Sequence, residues 1–224
     1  MSELDYLYNL ERFGIKLGLN NIKKLCLKIN NPQNNYPIIH IAGTNGKGST
    51  AAFISQILIE SGYTVGTYTS PHLVKFNERI TINGKDISDL ELTKSVKKLK
   101  QIVEKEKINT TFFEFTTAIA FDYFATKKVD IAIIEVGLGG RFDATNIVNP
   151  IISVITNIDK DHTQILGNTY QKIAYEKSGI IKNKIPIICN VKKYSALKVI
   201  KQKCHKITKR LIEIYIKKRL EVRC

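Results

Sequence analysis

The sequence predicts a doubly wound α/β fold, a mostly parallel sheet with helices on both faces. Three observations predict it. Continuous apolar runs at 37–42, 129–136 and 151–156 have the make-up of central parallel strands, which are buried on both sides. Segments of helical periodicity alternate with these runs. A glycine-rich stretch at 43–48 joins the first run to a helix, in strand–loop–helix order.

Helical patterns open the chain at about 3–12 and 19–29, the second ended by Asn30-Asn31-Pro32. The strand at 37–42 leads to a helix near 49–61, which sets Phe53, Ile54, Ile57 and Leu58 on one face and stops at Gly62. The second strand is Thr64–Thr69. Asn83-Gly84 turns a small hairpin between Arg79–Ile82 and Lys85–Ile87. Ser88 caps a long amphipathic helix running to about Lys107, with Asp89 and Glu91 suiting its first turn. Phe113–Thr126 is a helix apolar enough to lie against the sheet. After the strands at 129–136 and 151–156 come a helix at about 169–179, a strand at 185–190 and a helix at 194–205.

Composition narrows the function classes. The 224 residues, 43% hydrophobic, can bury one good core and a small appendage. No apolar stretch reaches bilayer length, and the N-terminus lacks a secretory layout, so the reading is a cytoplasmic protein without a membrane partner. Cys26, Cys189, Cys204 and Cys224 show no metal-like spacing and read as reduced thiols. The net charge of +15 raises the question of nucleic acid. Yet Lys94, Lys97, Lys98, Lys100, Lys105 and Lys107 are sprinkled among Glu and Gln, with no aromatic-interleaved basic stripe, and the sequence argues against a nucleic-acid partner.

Residues 43–50, Gly-Thr-Asn-Gly-Lys-Gly-Ser-Thr, have the chemistry of a phosphate cradle. Gly43, Gly46 and Gly48 let backbone approach a ligand, so the N–H groups of Thr44, Asn45 and their neighbours can point at an anion near a helix N-terminus. Lys47 supplies charge to the β/γ-phosphates, and Ser49 or Thr50 a hydroxyl for Mg²⁺. The spacing departs from the usual P-loop, because Gly48 separates Lys47 from Ser49. The alternative, a turn with a solvated lysine, fits less well with the strand–loop–helix order.

Ligands of open parallel sheets bind at the carboxyl ends of strands. Three more loops there carry chemistry. Thr69-Ser70-Pro71-His72-Leu73, with Phe76-Asn77-Glu78-Arg79 after it, can orient a carboxylate-bearing substrate; an ordinary polar loop accounts for these residue types equally well. Residues 135–146 place three glycines, Arg141 and Asp143 after a buried strand, either close to a ligand or in a tight structural turn. Glu135 at the strand tip needs a cation or hydrogen-bond donors. Thr156-Asn157-Ile158-Asp159-Lys160-Asp161-His162 offers oxygen and imidazole ligands suited to a divalent metal, although a lone histidine is more often structural. Lys177 shares a helix face with Ile173 and Ala174. Periodicity favours a snorkelling side chain there over a desolvated, nucleophilic amine able to take up carbon dioxide as a carbamate.

Taken together, His40–Ser49, Thr69–Leu73, Phe76–Arg79, Phe113-Glu114, Glu135–Asn146, Thr156–His162 and Glu176–Gly179 resemble the dihydrofolate synthase/folylpolyglutamate synthase family, the folate branch of the Mur ligases. The resemblance implies an ATP-dependent amide ligase that phosphorylates a carboxylate and lets the amine of L-glutamate displace the phosphate. Its acceptors are dihydropteroate or tetrahydrofolate species. It implies Gly43 to Ser49 on the triphosphate, with Lys47 on its β/γ oxygens. Ser49 and Glu114 would hold one Mg²⁺, and His162 with a carbamylated Lys177 a second, Glu114 lying between them. Ser70, Pro71, His72, Asn77, Arg79 and Asp143 fall on the pterin-substrate side.

Family members carry a further C-terminal domain, and the resemblance weakens after about residue 205. The expectation is therefore an incomplete central ATP-binding domain at 1–208, a basic tail at 209–224 and no C-terminal glutamate-ligase domain. Such a chain is expected to be monomeric, with reduced or no activity alone; a non-catalytic ATP-binding remnant is the alternative.

Overall fold

The computed structural model describes residues 3–10, 14, 18–208 and 210–213. Within them, one sheet comprises β1 (Ile38–Ala42), β2 (Val65–Tyr68), β3 (Ile80–Ile82), β4 (Lys85–Asp86), β5 (Ile131–Glu135), β6 (Ile152–Ile155), β7 (Ile187–Cys189) and β8 (Leu211–Glu213). Their spatial order is β4-β3-β2-β5-β1-β6-β7-β8. β3 and β4 pair antiparallel; the other six strands run parallel. Every residue of β1 and β5 is buried, which is why both are apolar apart from His40 and the terminal Glu135.

The helices are α1 (Glu3–Asn9), α2 (Asn20–Lys28), α3 (Lys47–Glu60), α4 (Asp89–Lys105), α5 (Phe112–Lys127), α6 (Thr163–Leu166), α7 (Tyr170–Lys177) and α8 (Tyr194–Ile207). On one face of the sheet, α1, α2, α4 and α5 bury Leu7, Ile22, Leu25, Leu99, Phe115, Phe121 and Phe124 against Ile38, Ala132 and Ile134. Further along the same face, α7 and α8 bury Ile173, Ala174, Ala196 and Ile200 against Ala42, Ile155 and Ile187. On the opposite face α3 covers Ile39, Ile41, Val65, Ile133 and Val154.

Local signals set most boundaries. Asn83 and Gly84 both have positive φ in the β3–β4 turn, Ser88 Oγ accepts from the Glu91 amide at 3.3 Å, and Thr111 caps α5.

One predicted helix face is corrected. Ile54 and Leu58 pack against the sheet, but Phe53 is 72% and Ile57 66% exposed. Small residues set the rotation of α3: Ala51 and Ser55 allow close approach, and Ser55 Oγ accepts from Thr67 Oγ1 at 3.1 Å. Helix α6 falls between the predicted elements, and Leu211–Glu213, predicted as tail, pairs parallel with β7. Residues 11–12 of the first predicted helix, and positions 209 and 214–224 of the tail with Cys224, lie outside the described residues.

Candidate active site

The loop after β1 is braced by the loop after the neighbouring β6. Asn157 Oδ1 accepts from the amides of Thr44 (3.1 Å) and Asn45 (2.8 Å). Thr44 Oγ1 donates to the Asp159 carbonyl and accepts from the Asp159 amide, and Thr156 Oγ1 donates to the Asn45 carbonyl at 2.7 Å. Glycine is required at 43, where a Cβ would lie 1.8 Å from Thr156 Oγ1, and Gly46 turns into α3 with φ of 76°. The first-turn amides of α3, Lys47 to Ser49, then form the helix N-terminus that favours an anion. Thr50 Oγ1 donates back to the Gly46 carbonyl at 2.7 Å. Ser49 remains exposed.

Lys177 is buried rather than snorkelling, only 4% exposed, and its Nζ donates to the Gly43 carbonyl at 2.8 Å. Burial and then the nearby Lys47 lower its pKa to about 8. Lys47 Nζ reaches the Thr44 carbonyl (3.3 Å) and lies 3.9 Å from Glu135 Oε1. Glu135 ends the otherwise apolar β5 and is buried, and its Oε2 has no hydrogen-bond partner among the described residues. Burial raises its carboxyl to about 7, against the pull of Lys47. The sequence-derived ligand set omits Glu135, although a carboxylate at the tip of a buried strand was the signal for it.

A cavity of about 470 Å³ opens beside this loop. Lys47, Ser70, Pro71, Arg79, Glu114, Asp143 and His162 line it, with Phe112, Phe113 and Phe142 as aromatic wall. Arg79 is 8% exposed and sits over the rings of Phe76 (5.8 Å) and Phe112 (5.4 Å). Its Nε donates to His72 Nδ1 at 2.8 Å, and among the described residues no carboxylate pairs with it. Glu78 accepts from the amides of Leu73, Val74 and Lys75, fixing the loop that carries Pro71 and His72.

Other predicted residues have local duties. Glu114 completes a capping box, its Oε2 accepting from the Thr111 amide (2.9 Å) and hydroxyl (3.0 Å). Asp143 is buried and accepts from the Leu138 and Thr145 amides, while desolvation raises its pKa. His162 is exposed, has φ of 45° and lies 3.6 Å from Asp161. Asn77 is not brought to the cavity: its Nδ2 donates to the Ile87 carbonyl (2.7 Å) and Asp89 Oδ1 (2.8 Å), locking the hairpin to α4.

Among the described residues, no three His, Cys, Asp or Glu side chains cluster as a metal cage. Mg²⁺ is commonly held by one or two carboxylates together with substrate phosphates and water. The unpartnered Glu135 Oε2 is the donor that fits best; Ser70 shares a second cavity of about 420 Å³ with it.

The Mur ligase middle domain model matches residues 41–219. The chain belongs to the Mur ligase middle-domain family. It is 51% identical over 200 residues to the dihydrofolate synthase/folylpolyglutamate synthase of Bacillus subtilis (strain 168), covering 87% of this chain and 46% of that protein. The chain thus spans about half the length of that curated relative. Among solved structures, an FPGS–AMPPCP complex superposes with a TM-score of 0.89 at 37% identity, covering 95% of this chain and 54% of that one. E. coli FolC in complex with DHPP and ADP gives 0.88 at 33% identity, covering 95% and 51%. No described helix is long and apolar enough to cross a membrane.

Proposed function

We propose that this chain binds Mg²⁺–ATP and the acceptor in an ATP-dependent ligase that adds L-glutamate to dihydropteroate or a folate. The observation that carries the reading is the single cavity in which Lys47, at the phosphate loop, meets Arg79, Asp143 and an aromatic wall. Homology supports it: the relatives include dihydrofolate synthase/folylpolyglutamate synthases, and solved neighbours hold AMPPCP, ADP and DHPP.

The amides of residues 44–49 and Lys47 Nζ grip the triphosphate and neutralise charge on the transferring phosphoryl group. The flat acceptor lies along Phe112, Phe113 and Phe142, while Arg79, bonded to His72 through Nε, offers its remaining guanidinium N–H groups to the acceptor carboxylate. Held in line, that carboxylate attacks the γ-phosphorus, ADP leaves, and an acyl phosphate forms. The amine of L-glutamate then attacks the acyl carbon and expels inorganic phosphate. Mg²⁺ supplies charge neutralisation at the phosphates; Glu135 and Ser70 are its proposed protein ligands, with His162 and Lys177 the candidates for a second ion. A carbamate on Lys177 would turn that buried cation into a metal-binding anion, and the lowered amine pKa favours its formation. The reading carries with it a monomeric, cytoplasmic protein with small-molecule partners.

Calorimetric titration with Mg²⁺–AMPPCP tests the first half, with Lys47→Ala expected to lose affinity about tenfold or more. Adding the C-terminal half of a full-length relative should then give ADP release that requires both pteroate and glutamate. Lys47→Ala with unchanged affinity overturns the reading. Nucleotide binding without pteroate-dependent turnover leaves a nucleotide-binding module.

A further inference from the structure

We propose that Arg141 is a positioning residue that ties the acceptor cavity to the phosphate loop, so that each ligand orders the site for the other. The inference rests on the ligase reading above and goes beyond it. Arg141 does not line the cavity, but the next residue, Phe142, is part of its wall. The guanidinium carbon lies 4.2 Å from the centre of the Phe142 ring and 4.9 Å from that of the Tyr175 ring. Its Nε and Nη2 donate to the two carboxylate oxygens of Glu176 at 3.1 and 2.8 Å, and its backbone amide donates to the Glu176 carbonyl at 2.8 Å.

Tyr175 and Glu176 form the last turn of α7 immediately before Lys177, and Lys177 holds the Gly43 carbonyl. The cavity wall and the phosphate loop are thus joined through one side chain and one helix end. The backbones leave no slack at the joint. A Cβ on Gly140 would lie 2.8 Å from the Lys177 carbonyl, and one on Gly179 would lie 2.2 Å from the Arg141 Cα. Asn146 Nδ2 closes it by donating to the carbonyls of Arg141 (3.0 Å) and Gly179 (3.2 Å).

An acceptor that stacks on Phe142 and fixes its ring therefore fixes Arg141, the end of α7 and Lys177 together. The Arg141 side chain is 37% exposed, and a pair so placed contributes little to stability. Its geometry is instead that of a link: a planar fork on Glu176 with two aromatic rings within 5 Å, which lysine cannot reproduce.

The test is a linkage measurement on the whole chain, titrating Mg²⁺–AMPPCP with and without saturating dihydropteroate, and the reverse. In the unaltered chain each ligand should tighten the other by about fivefold or more. Arg141→Gln and Arg141→Lys should each keep the separate affinities within about threefold and reduce the mutual enhancement below about twofold. Should Arg141→Gln fail to fold, Phe142→Leu, which keeps the Glu176 pair, should show the same loss of enhancement. Two ligands that bind without enhancing each other, or enhancement that survives in Arg141→Gln or Phe142→Leu, overturn the assignment of Arg141 alone. An unaltered chain that binds neither ligand overturns the ligase reading beneath it.

Discussion

Lys177 Nζ donates a 2.8 Å hydrogen bond to the carbonyl of Gly43, so a buried amine from α7 supports the first residue of the phosphate loop. Lys177→Met keeps the volume and removes both the donor and a desolvated charge. Loss of the charge offsets much of the lost bond, and stability should shift by no more than about 1–2 kcal/mol. Affinity for Mg²⁺–AMPPCP should nevertheless fall about tenfold, as read by calorimetry beside a thermal melt.

Glu135 and Glu114 make opposite predictions. Glu135→Gln removes the carboxylate with the unpartnered Oε2, and should abolish most of the Mg²⁺-dependence of nucleotide binding with little loss of stability. Glu114→Ala breaks the capping box of α5 and should cost about 1 kcal/mol of stability while the Mg²⁺-dependence persists. Titrating Mg²⁺ at fixed nucleotide separates them, and the reverse pattern would restore Glu114 as the metal ligand.

Gly43→Ala forces a methyl group onto Thr156 Oγ1. Overpacking of this kind costs about 1–3 kcal/mol and should distort the loop enough to remove nucleotide binding. Thr156→Ala removes the clashing hydroxyl, so the double variant should recover part of both losses. Denaturant melts of the four chains give the coupling.

His40 gives a pH signature. It is fully buried in β1, its Nε2 lies 2.8 Å from Thr145 Oγ1, and burial followed by the charge of Lys182 lowers its pKa to about 3. Between about 3 and the ordinary 6.5 the unfolded chain binds a proton that the folded chain refuses. This contribution is therefore intact above 6.5 and declines as pH falls, by at most about 1.4 kcal/mol per pH unit. Glu135, raised to about 7, has the opposite slope between its ordinary value and 7, so the informative quantity is wild type minus His40→Gln. That difference should flatten above pH 6.5.

Strand–loop–helix order, caps and turns were legible because each is written within a few neighbouring residues. Ser88, just before Asp89 and Glu91, specifies a cap; Asn83-Gly84 specifies a turn. The side of α3 that meets the sheet was not legible, because hydrophobicity favoured Phe53 and Ile57 whereas close approach favoured Ala51 and Ser55. For the site, the cavity gathers Lys47, Glu114, Arg79, Asp143 and His162 from five separate segments as the motif order suggested. The surroundings of Asn77 and Glu135 were not legible, for one reason. Whether a polar group is free depends on partners elsewhere in the chain: Asp89 engages Asn77, and among the described residues no hydrogen bond reaches Glu135 Oε2.

The central position of β1 has a kinetic consequence. Its neighbours are β5 and β6, so Ile38 must wait for Ala132 and Ile39 for Ile152 before either gains a sheet partner. Closing such long loops ahead of any native pairing is slow. During synthesis the phosphate-loop segment therefore leaves the ribosome long before the strands that flank it, and remains open to chaperones and proteases in the interval.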